Sequence, residues 1–118
     1  MPPRVDITKI YSFSVTQYCQ PEDLHYYVEL QAKLLQDNRG GVIGHFDVPD
    51  VDKAKLYYKN FSKETVEKYR SKIRSIFAEG SYWHDMERFL LIGQRLGLKV
   101  EIRDTNCYYR SDIIIHVD

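Results

Sequence analysis

His45 and His116 each sit in a stretch of alternating apolar and polar residues, and Arg103 and Arg110 sit in stretches of the same kind. An imidazole exchanges protons near neutral pH, and a guanidinium holds the charge that develops on a phosphoryl oxygen. These residue types are those of a metal-independent phosphodiesterase or nuclease. Spacing limits the reading: Arg110 and His116 share one expected strand, about 20 Å apart at roughly 3.3 Å per residue, and do not reach one phosphate. Catalysis of this kind therefore requires His45 and His116 to lie on neighbouring strands.

His45 and Asp47 fall on the same side of a strand by parity and offer one nitrogen and one carboxylate to a divalent ion. Asp50 and Asp52 follow Pro49 and suit turns and helix caps. The stretch lacks the glycine and downstream acid of a calcium loop, so no metal is expected. No Gly-x-Ser-x-Gly turn is present, and Arg39-Gly40-Gly41 precedes a strand where a phosphate cradle would precede a helix. No cofactor is expected. His25, and His84 with Asp85, Glu87 and Arg88, read as solvated helix faces.

From Lys53 to Arg74 the chain is strongly basic, with Lys55, Lys59, Lys68, Arg70, Lys72 and Arg74 interleaved with Tyr57, Tyr58 and Phe61. Upstream, Glu22 to Asp52 carries seven acids against Lys33 and Arg39. Opposed patches of this kind suit self-association, and basic residues beside aromatic ones suit phosphates and bases. Over the whole chain 17 basic residues balance 17 acidic ones, which excludes a protein held to nucleic acid by net charge alone.

The elements that must position these groups start with a strand. Val5, Ile7, Tyr11, Phe13 and Val15 are odd-numbered, and Asp6, Thr8, Ser12, Ser14 and Thr16 are even, the pattern of a half-buried strand with one open face. Pro21-Glu22-Asp23 opens a helix that runs to about Asp37, with Leu24, Tyr27, Val28, Leu34 and Leu35 inward and Gly40 as terminator. Val42 to Val48 forms a second strand, ended by Pro49. A short helix is expected within 50–60, and a second from Ser62 with Val66, Tyr69, Ile73, Ile76 and Phe77 inward. A third runs from Tyr82 to Leu96, burying Tyr82, Met86, Phe89 and Leu90 and closing at Gly97. Two more strands, around Val100–Ile102 and Ile113–Ile115, are joined too closely for a parallel crossover and must form a hairpin. Asp47 and Asp104 then share one end of the sheet, and Asp118 lies at the other.

These elements predict one 118-residue domain of the α+β class, α/β-like and two-layered. A mixed sheet of about four strands carries helices on one face, in the order β-α-β-α-α-β-β. Parity places Ser12, Ser14, Thr16, His45, Glu101, Arg103, Tyr108, Arg110 and His116 on the open face. With ten tyrosines, a polar sheet face and a basic-aromatic segment, the chain reads as a small non-enzymatic binding module. Its expected partner is a second copy in a homodimer or another protein, with nucleic acid as a further possibility and no membrane. Cys19 and Cys107 read as reduced thiols, and without a signal-peptide pattern or an apolar span the expected location is cytoplasmic.

Overall fold

In the computed structural model, which describes residues 7–57, 59, 62, 63 and 82–118, four strands form one sheet. They are β1 (Lys9–Phe13), β2 (Gly41–Pro49), β3 (Lys99–Asp104) and β4 (Arg110–Val117), in the order β1-β2-β4-β3. β1 and β2 are parallel, and β4 runs antiparallel to both of its neighbours. Helices α1 (Leu24–Gln36), α2 (Ala54–Tyr57) and α3 (Met86–Leu96) complete the described elements. This is the α+β, two-layer architecture read from the sequence, hairpin included. The expected helix from Ser62 through Phe77 lies outside the described residues apart from Ser62 and Lys63.

α1 follows a 3-10 turn at Pro21–Asp23 and buries Leu24, Val28, Ala32 and Leu35. Tyr27 and Leu34, expected inward, are 46% and 43% exposed, because at about 100° per residue they fall on the flank of that stripe. Its chain reverses through Arg39 and Gly40, both at positive φ, with the Gly40 amide donating to the Leu35 carbonyl.

α3 begins at Met86, later than the expected Tyr82. The reason is tertiary: His84 N donates to the Pro49 carbonyl and Val51 N to the His84 carbonyl, which draws 82–84 out as an extension of the sheet. Asp85 then caps the helix, its carboxylate accepting from Glu87 N at 3.0 Å. Phe89 and Ile92 face the core, whereas Leu90, also expected inward, is exposed. Gly97 ends the helix at φ 69° with open space where a Cβ would stand. Gly97→Ala is therefore expected to lower the unfolding free energy by about 1 kcal/mol through backbone strain alone, as read by urea denaturation.

The core lies between the helices and the sheet face bearing Ile43, Ile113, Ile115 and Val117, against Leu24, Val28, Leu35, Phe89 and Ile92. The expected parity of β1 is reversed. Ile10 and Ser12 point towards the helices in register with Ile43 and His45, while Tyr11 and Phe13 stand on the open face, 57% and 72% exposed. Ile10, an apolar residue on the even side, decides this, because it joins the isoleucine layer. In β2 a bulge sets Phe46 and Asp47 opposite the single residue Asp112, so Val48 turns back into the core.

Candidate functional site

Ligands of open α/β sheets bind outside the carboxyl ends of the parallel strands. Here those ends carry two non-glycine residues in the left-handed region, Ser14 at φ 57° and Asp47 at φ 63°. Ser14 Oγ donates to Asp47 Oδ2 at 2.8 Å, and Ser14 N donates to the Phe46 carbonyl at 3.1 Å. Asp47 N donates to Asp112 Oδ1 at 2.9 Å. Each left-handed residue costs about 1–3 kcal/mol, a strain that the surrounding hydrogen bonds must hold in place.

Arg110 supports this pair from below. Its buried guanidinium donates through Nη1 to the Asp47 carbonyl at 2.6 Å and to Gln17 Oε1 at 3.1 Å, and stands 3.7 Å from Asp47 Oδ2. Above the pair opens a cleft of about 440 Å³ lined by Phe13, Asp47, Asp104, Thr105, Asn106, Cys107 and Asp112. Lys53 Nζ reaches from the other side to Asp104 Oδ1 at 2.8 Å, holding that carboxyl below its usual range, and to the Arg110 carbonyl at 2.9 Å. The cleft therefore offers carboxylates and an aromatic wall, with the Asp47 side chain partly open to water.

Two buried histidines pin the chain behind the cleft. His84, fully buried, donates from Nε2 to the Thr16 carbonyl at 2.8 Å, fastening the loop after β1, while its own backbone holds Pro49 and Val51 at the end of β2. His45 receives the Ser12 hydroxyl at Nδ1 at 2.7 Å, and its Nε2 faces Gln31 Oε1 of α1 at 3.1 Å, which places the ring proton on Nε2. Both imidazoles are lowered to about 4, by burial above all; at His45 repulsion from His84 contributes to the shift, and at His84 the bond to Thr16 opposes it while Arg88 adds to it.

Several expected site residues are placed differently. Ser12 and His45 lie beneath α1 and α3, not on the open face, with the Phe89 ring 6.3 Å from that of His45. His116 stays on the open face, paired across the sheet with Val42 and 3.2 Å from Glu101 Oε1. The two histidines thus occupy opposite faces, and the phosphodiesterase reading fails. His84, expected in water, is in the core. Arg110, expected on the open face, is buried at the carboxyl edge, whereas Arg103 and Tyr108 are exposed, Arg103 donating to Glu101 at 2.8 Å.

His45 and Asp47 turn to separate hydrogen-bond networks, and among the described residues no group of three or more His, Cys, Asp or Glu side chains is placed to hold a metal ion. Lys55 belongs to α2 and Lys59 is exposed. Tyr58, Lys68, Arg70, Lys72 and Arg74 lie outside the described residues. Both cysteines are free thiols, and burial, then Asp23, raises Cys19. No described helix is long and apolar enough to cross a membrane.

The pairing of Ser14 with Asp47 is not legible in the sequence, since the bulge that turns Asp47 towards Ser14 has no local sequence signal. The available hint was direction: parallel β1 and β2 bring 14 and 47 to one edge.

No protein-family model matches the chain, and no curated protein matches it in sequence. Its fold is similar to that of magnesium protoporphyrin IX methyltransferase from Synechocystis PCC 6803, solved with bound SAH, at a TM-score of 0.54 and 12% identity. The match covers 99% of this chain and 48% of that one, so this chain spans about half the length of the solved enzyme. The non-enzymatic binding module inferred from the sequence is corrected by this similarity to an enzyme fold, together with the burial of His45 and half-burial of Ser12, both of which the open-face reading placed in water.

An S-adenosyl ligand calls for a glycine turn between a strand and a following helix. Here Gly40 precedes β2 and Gly41 opens it, a Cβ on them would strike the backbone of Val117 and Thr8, and Gly97 precedes β3. The described residues do not fit that grip.

Proposed function

We propose that this chain is the acceptor side of a group-transfer enzyme of the methyltransferase type. The observation that carries the reading is the strained, hydrogen-bonded pair Ser14–Asp47 at the carboxyl ends of adjacent parallel strands, in a fold similar to that of a methyltransferase. Strain of this kind is retained where it aims a functional group. The Asp47 carboxylate is set to accept the proton that an N–H or O–H acceptor loses on being alkylated. Ser14 orients the carboxylate, Arg110 fixes the backbone beneath it, and Phe13 supplies a wall against which a flat acceptor lies.

The chain, isolated from its native cell with the polypeptides that accompany it, is expected to transfer tritiated methyl groups from S-adenosylmethionine to the small-molecule fraction of the same cell. Scintillation counting of the extracted products is the readout. Absence of label above a heat-treated sample overturns the reading.

A further inference from the structure

We infer that the cleft between α1 and α3 binds a small zwitterion with an apolar body, the chemistry shared by an apolar amino acid and a short apolar peptide. The cleft holds about 420 Å³, within the range of small-molecule sites. It shares no lining residue with the cleft above Ser14 and Asp47, so its occupancy is independent of methyl transfer.

Helical spacing builds one wall. Arg88 and Arg95 are seven residues apart, which sets them on one face of α3 two turns, or about 10 Å, from each other. Leu91 and Ile92 fall between them and give that wall an apolar floor. Arg88 is anchored, its Nη1 donating to the Pro21 carbonyl at 2.9 Å, which ties the start of α3 to the start of α1.

The opposite wall comes from the first turn of α1 and the residues before it. His25 Nε2 stands 3.4 Å from Glu29 Oε2, and its Nδ1 is buried with no hydrogen-bond partner. With the ring proton on Nε2, that Nδ1 is an unmet acceptor. Glu22 stands beside it, exposed.

Glu22, Glu87, Arg88 and Arg95 line the same cleft, yet among the described residues none of them forms an ion pair with another. The third acid, Asp85, is committed to capping α3 at Glu87 N. Charges of both signs therefore stay available in one small space. Their balance selects the ligand: three acids against two arginines disfavour a phosphate or a dicarboxylate, and the two arginines disfavour a simple amine. A zwitterion satisfies both. Its carboxylate takes charge-assisted hydrogen bonds from Arg95 and the remaining donors of Arg88, its ammonium lies at the Glu22 and His25 wall, and its body covers Leu91 and Ile92.

NMR of the full chain, with amide shifts followed during titration by leucine and separately by leucyl-leucine, tests the site. Isoamylamine, which lacks the carboxylate, and isocaproate, which lacks the ammonium, are the controls. Saturable shifts at 22–25 and 88–95 are expected, stronger with leucine for a free amino acid as the source and with leucyl-leucine for a peptide. Both controls should bind about tenfold more weakly. Arg95→Gln and Glu22→Gln change exposed side chains, so their urea unfolding curves should match the parent's, while each weakens binding about tenfold. A loss with Arg95→Gln alone leaves a site for anions and overturns the zwitterion. Equal binding of the controls, or no shift at these amides with either probe, overturns the inference whatever the methyl-transfer assay shows.

Discussion

Lowering the pH from 7 to 4.5 is expected to remove several kcal/mol of stability, well before the exposed carboxylates protonate. In the unfolded chain both imidazoles titrate near 6.5, and in the fold near 4, so between these values the unfolded state binds two more protons than the native one. Stability is then fully present above pH 6.5 and falls as the pH drops towards 4, by roughly 3 kcal/mol per histidine if the two acted alone. Because His84 contributes to the shift at His45, the two effects are coupled and their sum is smaller.

Urea denaturation at a series of pH values measures the slope. His45→Gln should reduce it by close to one proton, and an unchanged free energy between pH 7 and 5 contradicts the assignment. Protonation of His84 leaves its bond to Thr16 in place and adds a buried N–H at Nδ1 that has no hydrogen-bond partner, so the cost falls on the core around the ring.

The parts of the fold readable in the sequence were those set by local chemistry. The short link between Val100–Ile102 and Ile113–Ile115 admits only a hairpin, and Gly97 and Pro49 end their elements as their backbone limits require. Strand direction placed Asp47 and Asp104 together, and both line the cleft, while Asp118 lies at the far end beside Gly40.

What failed depended on contacts between distant segments. The alternation in β1 is nearly symmetric, with isoleucine at 10 and aromatics at 11 and 13, and only the isoleucines of β2 and β4 determine which side is inward. His84 looks like a surface residue on a helix until Asp50 pairs with it and draws 82–84 straight. The buried Arg110 and the positive φ of Asp47 follow from the bulge, a register event between β2 and β4 that neither strand encodes alone.

The charge on Asp47 is expected to be worth about 10²-fold in turnover, the usual scale of a positioned general base. Asp47→Asn separates that charge from the architecture. Asparagine suits the left-handed conformation as aspartate does, and its Oδ1 still accepts the Ser14 hydroxyl. The variant should therefore unfold within about 0.5 kcal/mol of the parent chain, as a substitution that preserves its contacts does. Ser14→Ala removes the orienting bond but leaves the base, so a smaller loss is expected there.

The measurement that bears most directly on the strained pair is the methyl-transfer rate of the assembly carrying Asp47→Asn, taken beside its urea unfolding curve. A rate lowered about 10²-fold with the unfolding curve unmoved is the predicted outcome. An unchanged rate in the folded variant would contradict the assignment of Asp47 as the acceptor's base.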